Sequence, residues 1–128
     1  MKKKLLSLLF VVMILPCMFL FTACGEPKSL ANTTYVYAKC EVTGDISKTE
    51  TESAWENYSF RFKNDTVEVY VSTSLLATYN YTYKNKVATC EPQNEELSSF
   101  TLKANGEYLV HETTDSKGTT KVYFKVSV

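Results

Sequence analysis

The stretch Tyr58-Ser59-Phe60-Arg61-Phe62-Lys63-Asn64-Asp65-Thr66-Val67-Glu68-Val69-Tyr70-Val71 decides the fold class. Its apolar residues fall on every second position: Tyr58, Phe60 and Phe62, then, past a polar break, Val67, Val69 and Val71. Successive side chains of a strand point to opposite faces, so a period of two marks a strand with one buried face. Asn64-Asp65 supplies turn residues between the runs. The segment reads as two antiparallel strands of a meander.

The pattern continues in both directions. Downstream, Tyr79, Tyr81 and Tyr83 alternate with Thr78, Asn80 and Thr82, and Lys84-Asn85 turns the chain. Lys86 to Glu91 is a short strand closed by Pro92-Gln93-Asn94, and Ser99 to Lys103 carries Phe100 and Leu102. Asn105-Gly106 is a strong hairpin signal. Tyr108 to Thr113 and Thr119 to Val128 form the last pair, with Val122, Phe124, Val126 and Val128 on one face. Upstream, Thr34 to Val42 places Val36, Ala38, Cys40 and Val42 on one face, and Tyr35, Tyr37, Lys39 and Glu41 on the other. Lys48 to Asn57 is expected to hold a short helix, with Ser47 as N-cap and Glu50 three positions on. Trp55 then packs it onto the barrel or over one end. About eight strands with short sequential connections favour an all-β, antiparallel up-and-down barrel, closed or open, over a Greek key. Closure removes edge strands that invite aggregation. An eight-stranded interior is either filled by side chains or holds one small ligand.

The first 23 of the 128 residues have a different character. Met1-Lys2-Lys3-Lys4 is positively charged, and Leu5 to Leu20 is apolar except for Ser7 and Pro16. That is the order of an export signal. The run ends in Phe21-Thr22-Ala23-Cys24-Gly25, which resembles the lipobox of bacterial lipoproteins. The resemblance implies cleavage between Ala23 and Cys24, and a diacylglyceryl anchor with palmitate-type chains on the Cys24 thiol. An uncleaved signal anchor and a soluble secreted protein are the other two readings of the segment. Domains are therefore expected at 1–23 (signal helix), 24–32 (lipidated cysteine and tether) and 33–128 (barrel). Beyond residue 23, 11 Lys/Arg face 14 Asp/Glu. Such a balance gives no support to nucleic-acid binding, which needs a basic stripe.

Several segments together look like the small lipocalin-like domains carried by bacterial lipoproteins. They are Leu30-Ala31-Asn32-Thr33-Thr34-Tyr35, the Tyr58 to Val67 arm, Thr78 to Tyr83, Phe100 to Gly106, and Val122-Tyr123-Phe124-Lys125. The likeness consists of strand and turn residues. It implies an eight-stranded barrel at the cell envelope and assigns no catalytic residue.

Candidate chemistry is sparse. Cys40 and Cys90 form a candidate disulfide in an exported domain, the alternative being two reduced core thiols. Nine tyrosines occur. Tyr58, Phe60, Tyr79, Tyr81 and Tyr83 are candidate ligand-binding residues lining a lumen with amphipathic rings, unless the tyrosines are simply good strand residues. Tyr35, Tyr37, Tyr70 and Tyr123 fall opposite the aliphatic residues of their strands and are expected outside, as an aromatic patch if they lie together. His111 is read as outward-facing. With one His in the chain and no cysteine cluster at ligand spacing, no metal or cofactor is expected. No nucleophile, base and orienting group can be assembled, so an enzyme is not expected. The expected function is a membrane-anchored, extracytoplasmic barrel that binds a small apolar ligand or an envelope component. The alternative is a structural or protein-interaction module, or an inhibitor of an envelope enzyme, acting through its outer face.

Overall fold

The computed structural model describes residues 26–127. The expected signal helix, Ala23 and Cys24 lie outside them. Eight strands follow in order: β1 (Thr33–Val42), β2 (Tyr58–Phe62), β3 (Thr66–Val71), β4 (Ser74–Lys84), β5 (Val87–Pro92), β6 (Phe100–Asn105), β7 (Tyr108–Asp115) and β8 (Gly118–Val126). One helix, α1 (Lys48–Trp55), separates β1 from β2. Each strand pairs antiparallel with the next, and β8 returns to β1 from Tyr35–Val126 to Val42–Thr120, closing an up-and-down barrel. Closure gives every strand two neighbours, so no strand lies at a free sheet edge.

The interior is filled through most of its depth. Phe62, Phe124, Leu102, Leu109, Val67 and Val122 are fully buried, and burying each contributes about 1.5–3 kcal/mol. The barrel has two distinct ends. The helix end gathers α1, the β3–β4 and β5–β6 connections and the β7–β8 turn. The opposite end, where the chain enters at Thr33, gathers the β2–β3, β4–β5 and β6–β7 turns.

The segment from Glu26 to Asn32 packs against that entry end. Leu30 is 1% exposed and belongs to the core. The Asn32 N–H donates to the Phe62 carbonyl at 2.9 Å, and the Gly106 N–H donates to the Glu26 carboxylate at 3.1 Å. Lys86 pairs with the same carboxylate at 3.4 Å.

At four points the structure departs from the sequence reading or adds to it. In β1 the register shifts between Tyr37 and Lys39. A bulge adds one residue to one strand and reverses its in–out parity. Tyr35 and Tyr37 therefore face inward before it and Cys40 after it, so Val36 and Ala38 do not join Cys40 inside. Strand β4 begins at Ser74, because Ser72-Thr73 makes a two-residue turn with Ser72 at φ 58°. Serine there lacks the usual Gly or Asn marker. The β6–β7 hairpin turns on Gly106-Glu107, one residue later than Asn105-Gly106, with Gly106 at φ 64°. Lastly, Cys40 and Cys90 are free and buried, with no bridge. They sit on β1 and β5, four strands apart around the closed barrel.

Helix α1 forms where expected, with the Ser47 hydroxyl accepting from the Glu50 N–H at 3.2 Å. Ahead of the helix Gly44 and Gly118 meet back to back, where a Cβ on either would collide with the other loop's backbone. Only glycine allows the β1 exit and the β7–β8 turn to approach this closely.

Candidate ligand-binding mouth of the barrel

At the helix end the packed core gives way to a cavity of about 200 Å³ lined almost wholly by apolar and aromatic groups. Phe60 and Val69, both buried, lie on its inner side. Tyr58, Tyr79, Phe100 and His111 line it from four strands. Trp55, the last residue of α1, leans over from one side, and Leu76, 59% exposed, stands at the rim. Strand alternation aims these side chains inward: Tyr58 and Phe60 on β2, Tyr79 on β4, Phe100 with Leu102 on β6, Leu109 with His111 on β7. The two residues Glu56-Asn57 between helix and β2 hold Trp55 close to Tyr58.

The rings interlock. Trp55 lies 4.7 Å from Tyr58 and 5.2 Å from His111, centroid to centroid. Phe100 meets Tyr79 at 4.9 Å, Phe60 at 5.9 Å and His111 at 6.0 Å. Such edge and tilted contacts suit aromatic quadrupoles and stiffen the lining. Burial lowers the His111 pKa and raises that of Tyr79, so at neutral pH both rings are uncharged and the mouth stays apolar.

Of the sequence candidates, the structure brings Tyr58, Phe60 and Tyr79 together here. Tyr81 and Tyr83 lie toward the entry end. Tyr81 packs edge-on against Phe62 at 5.0 Å and donates to the Lys63 carbonyl at 2.7 Å. Tyr83 donates to the Pro27 carbonyl at 2.7 Å. Their hydroxyls are satisfied by the entry end itself. Trp55, Phe100 and His111 complete the mouth. His111 faces inward, not outward. Its neighbour Val110 is apolar yet lies on the outer face, 7% exposed beneath its surroundings, which disguised the parity of β7.

Close by, the Tyr37 hydroxyl is buried without a hydrogen-bond partner. Its pKa is raised by burial first, then by the Cys40 thiol and the Glu52 and Glu56 carboxylates of the helix region. Burial pushes the Cys90 thiol up to about 12, which makes it inert at neutral pH. Among the described residues no group of three or more His, Cys, Asp or Glu is placed to hold a metal ion.

The outer tyrosines do not form one patch. Tyr35 and Tyr37 are interior. Tyr70 lies under Arg61 at 4.9 Å and donates to Glu68 at 3.1 Å. Tyr123 packs on Tyr108 at 5.4 Å beneath Lys39 and donates to Glu41 at 2.9 Å. Beside Tyr123, an outer groove of about 500 Å³ runs past Val110, Lys103, Glu112 and Lys121. Comparison of the chain with family models, curated proteins and solved structures returned no match.

Proposed function

We propose that this protein is an extracytoplasmic lipoprotein, anchored in the cell membrane through a diacylglyceryl group on Cys24, with a lipocalin-like barrel. Its mouth at the helix end binds a small apolar molecule or the apolar end of a larger envelope component. The observation that carries the ligand reading is the aromatic cavity of about 200 Å³ above an otherwise filled barrel. Size narrows the ligand. Sites for drug-sized molecules run to about 300–1,000 Å³, whereas an apolar cavity of about 150 Å³ takes up benzene. The mouth suits one ring system or a short alkyl end.

1-Naphthylamine, a neutral fluorophore of one fused ring system that absorbs in the range of tryptophan emission, tests the reading. We expect saturable one-site enhancement with energy transfer from Trp55, lost in Val69→Phe, which fills the cavity. Absence of enhancement, or equal enhancement in the filled variant, contradicts it. Anchoring is tested separately: Cys24→Ser leaves the membrane fraction or persists as precursor, and normal processing and lipidation of that variant excludes the anchor. The outer groove beside Val110 and Tyr123 supports a second reading, in which a protein partner docks on the β6–β7–β8 face.

A further inference from the structure

The two ends of the barrel differ in charge. Each end is counted as its connections plus the two strand residues on either side. The entry end then carries six bases, Lys28, Arg61, Lys63, Lys84, Lys86 and Lys125, against three acids, Glu26, Asp65 and Glu107. All six bases are exposed. The helix end carries nine acids against only Lys48 and Lys117. Asp45, Glu50, Glu52 and Glu56 fall in the β1–β2 connection, and Glu95 and Glu96 in the β5–β6 loop. Two ion pairs touch the entry end, Lys86–Glu26 and Lys63–Glu68, but their lysines stay 63% and 57% exposed. With Glu68 counted, that end is still net positive. One end of the molecule is basic and the other strongly acidic.

The chain also enters at the basic end. Glu26 is held there by the Gly106 N–H and by Lys86. Two residue steps separate Glu26 from Cys24, at most about 7 Å of chain.

We infer that the barrel stands on an anionic bilayer on its basic entry end, with the aromatic mouth turned away from the membrane. The inference rests on the Cys24 anchor proposed above and adds the face that meets the lipid. Attraction of the entry-end lysines to anionic headgroups and repulsion of the acidic helix end act in the same sense. A short tether with no charge asymmetry would let the barrel tumble over its anchor. Here tether and field agree. Ligand therefore reaches the mouth from the aqueous side, not by leaving the anchoring bilayer directly beneath it.

Trp55 is the chain's only tryptophan and stands at the mouth. Asn64 is exposed in the β2–β3 turn at the other end. The five residues of β2 between them span about 16 Å, beyond contact quenching. The lipidated protein is reconstituted into vesicles of phosphatidylcholine and phosphatidylglycerol carrying a headgroup nitroxide lipid. Trp55 emission should be unaffected by the nitroxide and quenched by aqueous acrylamide, whereas Asn64→Trp in a Trp55→Phe background should be strongly quenched by the nitroxide. Raising the salt to about 1 M, which shortens the screening length to about 3 Å, should cut that contrast by about twofold or more. Nitroxide quenching of Trp55 in protein that floats with the vesicles overturns the orientation and leaves the anchor standing. Protein that fails to float overturns both. Unchanged contrast in high salt overturns the electrostatic account. If Asn64→Trp does not fold, the Trp55 measurement on the unaltered chain decides alone.

Discussion

Tyr37, packed against the core, and His111, in the mouth, show what burial does to single polar side chains. A buried hydroxyl without a partner costs about 1–3 kcal/mol in lost hydration. Tyr37→Phe should therefore hold or raise stability, by up to about 1 kcal/mol in the urea midpoint at unchanged m-value. A loss larger than that would show that the hydroxyl has a partner. His111 is held below its ordinary pKa of 6.5 by burial. When the folded pKa of a base is depressed, the unfolded chain takes up the proton first. The fold accordingly loses stability as pH falls through about 6.5, and the loss stops growing once pH passes below the folded value. His111→Phe should flatten the Tm profile between about pH 7 and 5, while an unaltered profile would assign the pH dependence to other groups. At this scale alternation made Tyr58, Phe60 and Tyr79 legible as inward residues. His111 was not legible, because Val110 beside it is apolar, faces outward, and is shielded by its neighbours instead of by the core.

Among elements, turns and bulges were harder to read than strands. The alternation that runs through β2, β3 and the second half of β4 survives in the structure because each of those strands has one covered face. The β1 bulge leaves no mark in the sequence: Tyr35, Val36, Tyr37 and Ala38 are all compatible with either face, so nothing in the residue types shows where parity changes. The Ser72-Thr73 turn likewise lacks glycine. The candidate Cys40–Cys90 bridge rests on compartment and count, which carry no information on position, whereas the closed strand order places the two thiols across the barrel. Addition of a thiol reductant should leave Tm unchanged, where a bridge would lower it by roughly 10 °C or more. Both thiols should react with a thiol reagent only after unfolding. The segment ahead of β1 also belongs to the fold, since Leu30 is 1% exposed. Leu30→Ala should cost about 2–4 kcal/mol, and a cost under about 0.5 kcal/mol would show that the segment is not docked.

For the molecule as a whole, the eight-stranded count and sequential order were legible because hairpin-linked strands need only local signals. Closure depends on β8 meeting β1, a pairing between the two ends of the domain that no local pattern encodes. The division of labour along the barrel axis was hidden for the same reason. The entry end is sealed by Leu30, Phe62 and Tyr83, and the helix end is left with an aromatic hollow under Trp55. The charge asymmetry emerges only when turns distant in sequence are sorted by end. Native and denaturing mass spectra of the detergent-extracted protein from its own host show whether this hollow is a binding site. A native mass exceeding the denatured one by a small, defined amount, abolished in Val69→Phe, is the predicted result. Identical masses, or an added mass that persists in the filled variant, would contradict it.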